Sequence, residues 1–192
     1  MKIFVKQDKI TLFGRRYVVY QNKKKLYTIR RLWLTPIPKY AITEYHSGKR
    51  IGRMQNKFLS FRGNAVISIP SGQFKFDQEA ISSMNYSCKR IGGITEEYKL
   101  KGNKGFTGSI YKDKEQNGQW DKNRFVIFDG DAYEIDLDFD SDKLLMASMM
   151  VLIDTYRISV TVGGDIGWEV GNIGKDLKRR KSNWTPKEKT KS

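Results

Sequence analysis

The chain has 192 residues, 39% hydrophobic and 12% aromatic, enough for one domain with a core of its own. Its single cysteine, Cys88, excludes an internal disulfide, and a formal net charge of +15 is large for this size. The opening MKIFVKQDKITLF holds no long apolar run and no small-residue cleavage site, so neither a signal peptide nor a transmembrane anchor is expected, and a reducing cytoplasmic setting is.

Residues 1–62 are strongly basic, with 16 Lys and Arg against only Asp8 and Glu44. Within and beyond that third, alternating apolar and polar residues predict strands over 16–20 (RYVVY), 25–29 (KLYTI), 40–45 (YAITEY), 65–69 (AVISI) and 73–76 (QFKF). Turns fall at QNKK, HSGKR and PSG between them. Pro36 and Pro38 cannot donate ladder hydrogen bonds, which makes LTPIPKY an edge or a bend. The glycines Gly102, Gly105 and Gly108 in KGNKGFTGS lack the flanking strand and helix of a phosphate loop and read as a flexible turn.

Four segments repeat one pattern of apolar run, turn and strand: KITLFGRRYVVY from Lys9, RLWLTPIPKYAITEY from Arg31, KFLSFRGNAVISI from Lys57 and NRFVIFDGDAYEIDLD from Asn123. Repeated hairpins can roll into a closed sheet without exposed edges. In the fourth copy the charge reverses, because residues 125–142 contain seven acids (Asp129, Asp131, Glu134, Asp136, Asp138, Asp140, Asp142) and no base. An EF-hand loop starting at Asp136 needs Gly where Ser141 stands and Glu where Ala147 stands, so that motif fails. On a strand, carboxylates two apart share one face, which predicts a solvated acidic edge with Leu137 and Phe139 inward. Asp136, Asp138 and Asp140 remain weak calcium candidates beside that reading, and no cofactor is expected.

The run LLMASMMVLI over 144–153 is apolar on every face and ends on the carboxylate Asp154. Such a helix must be buried, and at about ten residues it falls well short of the roughly 20 that span a bilayer. A core helix is expected over 142–154, capped by Asp140 or Ser141, with Asp142 in its first turn. Residues 159–192 form a basic extension expected to be loosely attached, with Trp184 in it.

FVIFDGDAYEIDLDFDSDKLLMASMMVLID resembles the closing signature of the LURP-one-related family, a branch of the tubby C-terminal-like superfamily that also includes the phospholipid scramblases. LFGRRYVVY and KFLSFRG resemble the family's Phe-x-x-Gly-Asp-x-Tyr hairpins, with the Asp after Gly replaced by Arg15 and Asn64. The resemblance covers about residues 1–158 and implies a mainly β fold: a closed antiparallel barrel of about twelve strands around a central hydrophobic C-terminal helix. It also implies a binding role, since tubby domains hold phosphoinositides on a basic barrel wall and scramblases act at membranes with calcium. No enzyme active site is common to the family.

The residues agree with that. His46 is the only histidine and lies in the turn-like EYHSGKR, and neither nucleotide-binding, hydrolase nor zinc motifs occur, so no enzymatic activity is expected. Three cation clusters, Arg15 with Arg16, Lys23 with Lys24 and Lys25, and Arg30 with Arg31, are expected on neighbouring hairpin turns that converge on one rim and attract phosphate groups. An anionic phospholipid surface at the inner face of the membrane is the first expectation. Nucleic acid is the alternative, through stacking on Tyr17, Tyr20, Tyr27, Trp33 and Tyr40, although aromatics on strands also serve as core. A protein-interaction adaptor is the third.

Overall fold

The computed structural model describes residues 1–8, 15–32, 35–57, 63–80, 84–93, 95–103, 107–123, 132–162 and 184–187, without the side chains of 123 and 157–162. Alternation builds the strands in chain order: β1 (Lys2–Gln7), β2 (Arg16–Gln21), β3 (Lys24–Arg31), β4 (Lys39–Glu44), β5 (Arg50–Asn56) and β6 (Asn64–Ile69). There follow β7 (Gly72–Gln78), β8 (Asn85–Arg90), β9 (Glu97–Gly102), β10 (Thr107–Lys112), β11 (Glu115–Asn123), β12 (Ala132–Leu137) and then α1 (Lys143–Val162). Every strand pairs antiparallel with its sequence neighbour, and β1 closes on β12 from Lys2 opposite Asp136 to Lys6 opposite Ala132. The result is the expected closed barrel of twelve strands, mostly β, with a single helix among the described residues. Closure leaves no sheet edge to pair with another chain.

Inward positions carry the core. Ile3, Val5, Tyr17, Val19, Ile29 and Tyr40 are all buried, while Lys2 and Arg16 beside them are exposed. Into that lining runs α1, whose Leu145, Met146, Met149, Met150, Leu152 and Ile153 are all 0% exposed. Ser148, equally buried, donates its hydroxyl to the Leu144 carbonyl at 2.7 Å, so its polar group is satisfied within the helix. No helix among the described residues is long and apolar enough to cross a membrane.

The helix departs from expectation at both ends. Asp142 is the N-cap, its Oδ1 accepting from the backbone N–H of Leu144 at 2.9 Å and of Leu145 at 3.0 Å, so neither Asp140 nor Ser141 caps it. It continues to Val162 rather than stopping at 154, because no Pro or Gly interrupts before Gly163 and the polar Asp154 and Thr155 find partners inside the barrel. We call the end of the barrel where α1 starts the near end and the opposite one the far end. The two-residue turns Asn22–Lys23 and Asp113–Lys114 lie at the near end, and all four residues have positive φ, between 48° and 82°, as tight hairpins require.

The acidic alternation breaks where β12 ends. Leu137 is buried as expected, but the chain then turns, with Ser141 N–H donating to the Asp138 carbonyl at 3.2 Å. Phe139 is therefore 48% exposed and Asp138 only 3% exposed, the reverse of a continuing strand. Asp136, Asp138 and Asp140 do not gather, and no group of three acidic, His or Cys side chains fit to hold a metal exists among the described residues.

Gly102 and Gly108 are not a flexible turn; they face each other in the β9–β10 ladder. A Cβ on Gly108 would lie 2.4 Å from the Trp120 ring, and one on Gly102 2.4 Å from Met84 Cβ. Both glycines are seats for large side chains, and Gly105 lies outside the described residues. Gly108→Ala should therefore destabilise by about 1–3 kcal/mol through overpacking, seen as a lower urea midpoint at unchanged slope. Pro36 and Pro38 lie in the bend between β3 and β4 as expected. The first parts of the four repeats, 9–14, 33–34, 58–62 and 124–131, lie outside the described residues, as do Asp129 and Asp131.

Candidate anion-binding wall

The pairing register carries one transverse row around the barrel from Arg16 through Arg30, Ala41, Arg53 and Ser68 to Gln73. Arg16, Arg30, Arg53 and Gln73 are exposed, so this is the outer face. Arg30 and Arg53 flank the small Ala41 at a separation of two strand spacings, roughly 10 Å. Lys39, two residues before Ala41 on β4, adds a third cation on the same face. Two long guanidinium side chains set this far apart across a methyl group can close on one phosphate between them, each offering a planar fork of donors.

Beside Ala41 the wall is hollowed. A depression of about 590 Å³ is lined by Arg53, Gln55, Lys57, Val66, Ser68 and Gln73, together with Ile37 and Asn56. Its polar lining is neutral or cationic, without a carboxylate. Arg30, Lys39, Arg53 and Lys57 make no ion pair among the described residues. Other cations on the wall do meet a carboxylate: Arg16 that of Asp8 at 2.7 Å from its Nε, Lys75 that of Asp77 at 2.7 Å and Lys89 that of Glu97 at 3.4 Å. Arg30, Lys39, Arg53 and Lys57 thus stand as a group on β3, β4, β5 and the residue that follows β5.

The opposite wall is acidic. Asp121 stands directly across from Glu134 on β11 and β12, and partial burial followed by the Glu134 charge raises its carboxyl above the ordinary range. Lys2 lies against Glu134 and 3.7 Å from Asp136. In a ring of twelve strands β11 and β12 lie across from β5 and β6, so the polarity seen along the sequence becomes a polarity across the molecule.

The seven cations singled out from the sequence do not converge on one rim. Arg16 opposes Arg30, and Arg31 N–H donates to the Arg15 carbonyl, which puts these four at the far end. Lys24 opposes Gln21 beside the near-end turn, the whole of β2, roughly 20 Å, away. The two-residue turn fixes this register, and only Lys23 lies in it; Arg16, Lys24, Lys25, Arg30 and Arg31 stand on strands. Lys25 donates to Tyr45 OH at 3.0 Å and covers its ring. Arg30 is the one of the seven that belongs to the group with Lys39, Arg53 and Lys57. Lys39, Arg53 and Lys57 were not singled out, because their grouping depends on strand register; the alternation in RMQ of β5 was the available signal.

Inside the far half of the barrel sits a second charged group. Asp154, 0% exposed, accepts from Tyr17 OH and Tyr133 OH at 2.8 Å each and from Lys122 Nζ at 3.0 Å. Burial, and then the Asp154 charge, pushes the Tyr17 hydroxyl well above its usual range, so it stays a donor. Next in the helix, Thr155 Oγ1 lies 2.8 Å from Tyr40 OH. These contacts pin α1 to β2, β4, β11 and β12.

Fold and wall together define the class: a closed twelve-stranded antiparallel barrel threaded by one hydrophobic C-terminal helix, with a charge-polarised outer face. The chain belongs to the LURP-one-related family, whose model matches residues 2–154, from β1 to the buried carboxylate. No curated protein matches the chain.

Proposed function

We propose that the protein is a non-enzymatic binding module that holds anionic phospholipid headgroups, phosphoinositides included, at the inner face of a membrane through Arg30, Lys39 and Arg53. The observation that carries this reading is the trio of cations around Ala41 without a carboxylate partner among the described residues, beside a hollow lined by neutral and cationic groups. Retaining unpaired like charges side by side costs self-repulsion, which a polyanionic surface relieves. Each such cation contributes on the order of 1 kcal/mol near negative lipid. The nucleic-acid alternative is less well supported, because Tyr17 and Tyr40, offered for base stacking, are 1% and 0% exposed and point into the core. Trp33 lies outside the described residues.

The test is sedimentation with vesicles of graded phosphatidylglycerol or phosphoinositide content. Binding should rise with anionic fraction and fall with salt. R30E/K39E/R53E should bind at least about 100-fold more weakly, the equivalent of roughly 1 kcal/mol for each of the three sites. K23E/K24E/K25E, at the near end, should lose far less. Equal binding to neutral vesicles, or undiminished binding by the first triple variant, would refute the proposal.

A further inference from the structure

Four residues of the C-terminal extension are seated on the barrel rather than loose. Trp184 Nε1–H donates to the Gln116 carbonyl at 2.8 Å, Lys187 N–H donates to Asp138 Oδ1 at 2.6 Å, and Lys187 Nζ lies 3.2 Å from Glu115 Oε2. The three acceptors sit together at the near end, where β11 begins and the chain leaves β12, as the pairing of Gly118 with Leu137 requires. α1 finishes at the far end, its 20 residues measuring about 30 Å. The contact is therefore not a trivial continuation of the helix.

The chemistry of this notch is that of a receptor. Asp138 is 3% exposed, and a buried carboxylate is costly unless donors meet it. A backbone N–H of the tail supplies one of them. Glu115, Asp138 and Asp140 around it favour a cation, and Lys187 provides it. The carbonyl of Gln116 takes an indole N–H, which among side chains belongs to tryptophan alone. Pro186 fixes its own φ and pushes Thr185 into extended geometry, so Trp184–Lys187 is pre-shaped before docking and loses little entropy on it.

We infer that the notch between β11 and β12 is a peptide-docking site that reads an extended Trp-x-Pro-Lys segment, and that the chain's own residues 184–187 occupy it in cis. A cis occupant makes the site self-masked. Tethering supplies an effective concentration in the millimolar range, against which an outside peptide must compete.

Trp184→Ala in the full-length chain vacates the site without touching the barrel. A fluorescently labelled peptide spanning residues 182–189 should then bind the variant saturably, as read by anisotropy, and bind the unaltered chain at least tenfold more weakly. Adding Glu115→Lys to the variant, or replacing the peptide's Trp by Ala, should weaken binding severalfold or more. Amide exchange at Lys187 should be slow in the unaltered chain and fast in Trp184→Ala. No saturable binding to the variant, equal binding to both chains, or an unprotected Lys187 amide in the unaltered chain would overturn the site. An unaltered chain that sediments as a dimer dissolved by Trp184→Ala would overturn its occupation in cis.

Discussion

Met149→Asp should abolish the cooperative unfolding transition altogether. Met149 is 0% exposed in the middle of α1, and Leu145 and Ile153, one turn away on either side, are equally buried. A carboxylate there would have neither water nor a described donor, and its desolvation costs several kcal/mol, on top of the lost packing. Against a total stability of about 5–15 kcal/mol that is decisive. Circular dichroism on heating should show no sigmoidal melt, and size exclusion should show an expanded or aggregated chain. Met149→Leu, which conserves volume, should cost less than about 1.5 kcal/mol. A Met149→Asp chain that melts like the unaltered one would mean that α1 is not enclosed.

The second large effect concerns the pinned end of the helix. Asp154→Ala should cost about 3–5 kcal/mol, because it removes a buried carboxylate that meets the Lys122 ammonium, whose side chain is 11% exposed, and accepts from the hydroxyls of Tyr17 and Tyr133. Urea unfolding gives the value directly. The companion variant separates charge from packing: Asp154→Leu combined with Lys122→Met removes both charges, and should recover more than half of the loss. If Asp154→Ala cost less than about 1 kcal/mol, the carboxylate would not be what holds α1 in register.

The helix and the general architecture were legible in the residues, and unevenly so. LLMASMMVLI announces enclosure by itself, whereas Asp154 gives no hint that Tyr17 and Lys122, 137 and 32 residues away, will meet it. Strands with dense β-branched or aromatic alternation, such as RYVVY and AVISI, could be read directly. β1, β5, β8, β9, β10 and β11 are not among the strands read from the sequence: β5, β9, β10 and β11 insert glycine where alternation is sought, β8 carries small and polar residues, and β1, although KIFVK alternates, stands alone before the first repeat; packing is also split between strands, since Gly108 contributes space and Trp120 fills it. Barrel closure joins β1 to β12, a pairing between the ends of the matched region that family resemblance and repeat pattern implied but no local signal specifies.

The candidate site shows the same division. A surplus of cations in the first third was plain from counting, yet which of them stand together follows only from register, as Arg30 and Arg53 either side of Ala41 show. Misplacement of the acidic alternation has a physical origin as well. Period-two reasoning assumes that a strand continues, and β12 stops at Leu137, one residue before Asp138 turns inward.

Among the described residues, the opposition of cationic β3–β5 and anionic β11–β12 amounts to an electric dipole perpendicular to the barrel axis. Near a negatively charged plane such a body feels a torque as well as an attraction, and it turns like a compass needle before it touches. It would land lying on its side, with the helix parallel to the plane and the acidic strands uppermost, and only one of its many orientations would be productive. Under the proposed membrane role, encounter would thereby be faster and directional, and the same arrangement would make it sensitive to dissolved ions.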